Sequence, residues 1–115
     1  MRSYRLSFQA EQTLENIIGW TIDHFGLDQA VTYKNRLITR LASLVVDEVP
    51  HGRPCNSLLS DKRNAVDLEY YREGRHYIVY RNTTDGIFVL DFVHGSRDLG
   101  AILYELNAQE LSHSD

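Results

Sequence analysis

A chain of 115 residues with 43% hydrophobic content and a net charge of −4 is one globular domain, large enough for a real core and too short for two. Its single cysteine, Cys55, excludes an internal disulfide and a cysteine-rich zinc site, and reads as a small loop residue. No stretch reaches the apolar length of a membrane span and Met1–Arg5 lacks an apolar signal core, so a cytoplasmic protein is expected.

Charge is unevenly spread. Residues 1–50 hold five Lys/Arg against six Asp/Glu, residues 51–81 hold six against four, and residues 82–115 hold one against six. A protein that works by gripping phosphate backbones carries a basic surplus. The absence of one argues against a nuclease acting on a large RNA surface.

In chain order, Tyr4, Leu6 and Phe8 alternate with Arg5 and Ser7, the period of a half-buried strand. A helix is expected from about Ala10 to Phe25, with Leu14, Ile17, Ile18, Thr21, Ile22 and Phe25 on one face and Gly26 as its stop. Trp20 falls at the flank of that stripe beside Thr13 and His24, either as an edge aromatic or as an anchor for a partner. A second helix is expected from about Asp28 to Asp47, striped by Ala30, Tyr33, Leu37, Leu41, Leu44 and Val45, with Ile38 at the stripe's edge. The connection between the two helices is so short that they must be antiparallel neighbours.

Pro50–Pro54 ends the second helix, and Cys55–Asn64 reads as an irregular surface loop. Val66, Leu68 and Tyr70 alternate as a strand, and Arg72–Arg75 turns it into a hairpin formed by His76–Arg81 and Ile87–His94 around Asp85-Gly86. Ile87–Val93 is apolar at nearly every position, as expected of a strand covered on both faces, and it delivers His94-Gly95-Ser96-Arg97-Asp98 to the surface. Leu99, Ile102, Leu103 and Leu106 have helical spacing ahead of an acidic end expected to fray. The expected fold is α+β: an N-terminal strand, an antiparallel helical hairpin packed on a small antiparallel sheet, and a short C-terminal helix. The edge taken by the first strand does not follow from the pattern. The five histidines show no ligand spacing, so neither metal nor cofactor is expected.

Several short motifs, in this order and spacing, resemble the ParE toxins of the RelE/ParE superfamily over residues 4–98. They are Tyr4-Arg5-Leu6-Ser7, the helix end His24-Phe25-Gly26, and Asp28-Gln29-Ala30 with Tyr33. Then come Pro50-His51-Gly52-Arg53-Pro54, Arg75-His76-Tyr77-Ile78-Val79-Tyr80-Arg81 and His94-Gly95-Ser96-Arg97-Asp98. The resemblance implies a toxin of a type II toxin–antitoxin system, neutralised by a ParD-like antitoxin in a hetero-oligomeric complex. For the ParE branch it implies inhibition of DNA gyrase, whereas the RelE branch, with the same fold, cuts messenger RNA on the ribosome.

Cutting RNA through its 2′-hydroxyl needs a base, a proton donor and cations for the developing charge. The inventory here is Arg72, Arg75, His76, Arg81, His94 and Arg97, with Glu69 as a candidate base. The terminal Tyr or His pattern of the RelE branch is not reproduced where Val93-His94 passes into Gly95-Ser96. The reading is therefore a non-catalytic gyrase inhibitor without sequence-specific nucleic-acid binding. The alternatives are a ribosome-dependent endoribonuclease and a non-toxic antitoxin-binding module. Candidate target contacts are Arg75, His76, Arg81, His94, Arg97 and Asp98; candidate antitoxin contacts are Trp20, Ile38, Tyr33 and Leu37.

Overall fold

The computed structural model describes residues 3–46, 53–54 and 68–113. The chain runs β1 (Ser3–Leu6), α1 (Phe8–Phe25), α2 (Leu27–Val46), β2 (Arg53–Pro54), β3 (Leu68–Glu73), β4 (His76–Thr83), β5 (Gly86–His94) and α3 (Leu99–His113). The expected loop Cys55–Asn64 and Val66 lie outside the described residues.

Ser7 is the only residue between β1 and α1, and it fixes both. Its Oγ accepts the Ala10 N–H at 2.9 Å, an N-cap that satisfies one free donor of the helix start, so α1 begins at Phe8 rather than Ala10. The same Oγ donates to the Leu90 carbonyl at 2.7 Å, and the Ser7 N–H donates to the Val89 carbonyl at 2.9 Å. One residue between helices suffices as well: Gly26, at φ +92°, ends α1, and its carbonyl accepts the Ala30 N–H in the first turn of α2. The two helices fold back on each other as a hairpin.

Strand order in the sheet is β1-β5-β4-β3-β2. The β3–β4 and β4–β5 pairs are antiparallel, joined by two-residue turns at Gly74-Arg75 and Thr84-Asp85. Arg53 and Pro54, expected only as part of a turn, form the short edge strand β2 against Tyr70 and Glu69. The sheet is mixed rather than wholly antiparallel, because β1 runs parallel to β5 from Ser3↔Gly86 to Leu6↔Val89. Alternation of apolar residues is the same in either direction, so the sequence pattern carries no sign of it. Gly86 makes this pairing possible. It sits at φ +141°, and a Cβ there would stand 1.7 Å from the Ser3 carbonyl oxygen.

β5 reads as a continuous apolar run because both of its faces are covered, and a β-bulge shifts its alternation midway. Val79 pairs with Asp91 but Tyr80 pairs with Val89, leaving Leu90 without a partner in the ladder. The extra residue lets Val89 and Phe92, three positions apart, enter the same core. That core joins Ala10, Leu14 and Ile17 of α1 and Leu37, Leu41 and Leu44 of α2 to Ile78, Tyr80, Ile87, Val89 and Phe92. A second core lies on the opposite face, where Leu103 and Leu106 of α3 pack on Leu68, Val79, Leu90 and Val93. The C-terminal helix is thus a structural layer of the domain: its apolar spacing has a whole sheet face to cover.

Candidate functional site

The helical hairpin meets the ends of β4 and β5 at a cleft of about 630 Å³. Its floor is organised by α2. Tyr33, Arg36 and Arg40 recur at helical spacing and so project from one side of that helix toward the β3–β4 turn. Arg36 Nη2 and Arg40 Nε grip Glu73 at 2.8 and 2.7 Å, one on each carboxylate oxygen. Burial pushes the Glu73 carboxyl up, but the hydrogen bonds and charges of Arg40 and Arg36 outweigh it and hold it below its ordinary value. The carboxylate is a structural anion.

One turn earlier, the Tyr33 hydroxyl takes charge of the β3–β4 turn. It donates to the Glu73 carbonyl at 3.0 Å, accepts the Arg75 N–H at 3.1 Å and lies 2.7 Å from His76 Nδ1. With its one proton directed to the Glu73 carbonyl, the hydroxyl accepts a hydrogen bond from His76 Nδ1–H, the tautomer of a neutral His76 that carries its proton on Nδ1. Burial, and then the charges of His94 and Arg75, lower the His76 pKa to about 4. Burial also raises the Tyr33 phenol, an effect reduced by the Arg75 N–H. Gly74 must be small here: it lies at φ +60°, and a Cβ would meet Tyr33 Cε1 at 2.8 Å.

The cleft's other side is aromatic. Trp20 and Phe25, each about half exposed, meet edge to face at 5.8 Å, and Trp20 stacks on His24 at 4.1 Å. The Arg75 guanidinium sits 5.0 Å above the Phe25 ring. His94, at the end of β5, meets the His76 ring edge-on at 5.2 Å. Its Nδ1 accepts the Ser96 N–H at 3.1 Å, which places the proton of the neutral ring on Nε2.

Three of the six expected target residues, Arg75, His76 and His94, therefore converge in one cleft, together with Trp20 and Tyr33 from the expected antitoxin set. The others do not join them. Arg81 lies toward the far end of β4 on the α3 side, its guanidinium 5.7 Å from the Phe88 ring. Arg97 is exposed in the turn after β5, where its N–H donates to the His94 carbonyl. Asp98 caps α3, its Oδ1 accepting the Ala101 N–H at 3.2 Å. Leu37 is corrected outright: it is fully buried at the centre of the α2 stripe and is a core residue, not a contact surface. Ile38 is half-buried against the same core and does not line the cleft.

Glu73, Arg36 and Arg40 were not singled out from the sequence. Tyr33, Arg36 and Arg40 share a helix side, a readable signal, but their carboxylate partner lies more than 30 positions away. Glu69, a candidate base, has both carboxylate oxygens on Asn82 Nδ2, at 2.8 and 3.0 Å. Among the described residues no group of three His, Cys, Asp or Glu side chains is placed to hold a metal ion. Among them, too, no helix is long and apolar enough to cross a membrane.

Residues 4–99 match a family model described as ParE toxin of type II toxin-antitoxin system, parDE. Among solved structures the fold is similar to a chain of the "Chromosomal ParDE TA system from P. aeruginosa", with a TM-score of 0.60 and 16% identity. The match covers 82% of this chain and 96% of that one, a likeness of fold. No curated protein matches significantly in sequence.

Proposed function

The chain belongs to the ParE toxin family of type II toxin–antitoxin systems, and on that premise we propose that it acts by binding: it inhibits DNA gyrase and is neutralised by a ParD-like antitoxin. Its action is then in the cytoplasm, on gyrase engaged with DNA, and the effect is a blocked cleavage–religation cycle rather than a consumed substrate.

The observation that carries the non-catalytic reading is the state of His76 in the cleft and of Glu73 beside it. A proton donor for a leaving oxygen must hold its proton near neutral pH. His76, with its pKa near 4, does not. Glu73 is bound by two guanidiniums that hold its carboxyl below its ordinary value, so it is not a poised base. The exposed Trp20 and Phe25 and the cation beside them suit recognition instead.

Induction of the toxin alone in a bacterial host tests the reading. The DNA-damage response should rise while translation continues, and co-expressed antitoxin should suppress it. Early arrest of translation with cleaved transcripts would replace the reading with ribonuclease action, and harmless expression of folded protein would leave an inert binding module.

A further inference from the structure

The chain has 16 Asp and Glu residues, yet among the described residues no acidic side chain lines the cleft. Arg36 and Arg75 stand in its wall. The nearest carboxylate, Glu73, is held by Arg36 and Arg40 together, so the group carries more positive than negative charge. A cationic ligand would meet two guanidiniums with no partner for itself. An anion would meet the Arg75 guanidinium, which no carboxylate of the cleft engages, and the Nε2–H that His94 keeps once Nδ1 is bound to Ser96. Beside these donors, with the Arg75 guanidinium over the Phe25 ring, Trp20 and Phe25 offer a half-exposed aromatic wall. The volume of about 630 Å³ suits a small molecule, and a largely apolar hollow with a few convergent polar groups is the usual form of such a site.

We propose that this cleft binds a small aromatic anion, its ring against Trp20 and Phe25 and its carboxylate or phosphate group at Arg75. The ring is preferred over an aliphatic chain because Trp20, stacked on His24, and Phe25, under the Arg75 guanidinium, each remain about half exposed and so offer aromatic surface to a further ring. The anion is preferred over a neutral group because the Arg75 guanidinium, exposed and lying over the Phe25 ring, has no carboxylate in the cleft lining to compete for it. The site goes beyond the toxin reading and does not rest on it.

Trp20 is the sole tryptophan, so its emission reports the cleft directly. The full chain is titrated with phenylacetate, phenyl phosphate and the neutral phenylacetamide, with acetate and inorganic phosphate as ringless controls, and ligand-observed NMR as a second readout. At least one aromatic anion should bind saturably. Phenylacetamide and the ringless anions should each bind roughly tenfold more weakly or worse, the loss expected when a charged hydrogen bond or the ring contact is removed. The stronger of the two aromatic anions identifies carboxylate or phosphate as the group recognised. Arg75→Gln should lower affinity to that of the amide while the protein keeps a cooperative thermal transition, since the backbone N–H that Tyr33 holds remains. Equal binding of acid and amide, equal binding of ringless anions, or no saturable binding in either readout would each overturn the proposal.

Discussion

The Tyr33 hydroxyl lies 2.7 Å from His76 Nδ1 and also bridges the Glu73 carbonyl and the Arg75 N–H. A single side chain from α2 therefore sets the geometry of the β3–β4 turn, which carries Arg75 into the cleft. Its consequences are measurable.

Tyr33→Phe keeps the ring packing and removes only the hydroxyl. The Glu73 carbonyl, the Arg75 N–H and His76 Nδ1 then lose a partner together. A loss of roughly 1–3 kcal/mol is expected from leaving such groups unsatisfied. Urea unfolding of the two proteins checks it, and an unchanged midpoint would mean that the turn holds itself.

His76 ties stability to pH. Its folded pKa of about 4 lies below its ordinary 6.5, so between those values the unfolded chain binds a proton that the folded chain refuses. The stabilisation is complete above pH 6.5 and is lost as pH falls toward 4. Glu73, held below its ordinary 4.5, adds its own loss only at pH values below that. Denaturation midpoints between pH 6.5 and 4.5 should fall in the native protein and flatten in His76→Asn. Parallel slopes for the two would contradict the assignment.

Two glycines provide a matched pair. Gly86→Ala drives a Cβ into the Ser3 carbonyl at a φ of +141°, at an expected cost of about 2–4 kcal/mol. Gly19→Ala, in the middle of α1 with nothing within 4 Å of the new methyl, should stabilise by about 0.5–1 kcal/mol. In the Gly86 variant, hydrogen exchange at the β1 amides should rise before that of β4. Equal exchange across both strands would show that β1 does not depend on Gly86.

Much of this fold is legible in the chain. The α2 stripe places its helix within one residue at either end, and Gly26 marks the break between helices. What escapes is whatever depends on a partner distant in sequence. The parallel direction of β1 leaves no trace in alternation, and the bulge at Leu90 is hidden by the apolar residues around it. Leu37 in the helical stripe and Ile38 at its edge are separated by the spacing alone, and the first is wholly buried while the second is half-buried. In the site, the hairpin strands bring His76 and His94 together as adjacent strand ends. The expected strand His76–Arg81 and its hairpin partner Ile87–His94 already set Arg81 at the opposite end from His76 and His94, as the structure has it.

The central claim, inhibition of gyrase by binding, is tested most directly with purified components. Plasmid supercoiling by gyrase is followed with the toxin added, with and without its antitoxin, and linear cleaved DNA is read in the same reactions. The account predicts loss of supercoiling or accumulation of cleaved DNA, reversed by the antitoxin and weakened by Trp20→Ala or Arg75→Gln. Fully active gyrase in the presence of excess folded toxin would contradict it.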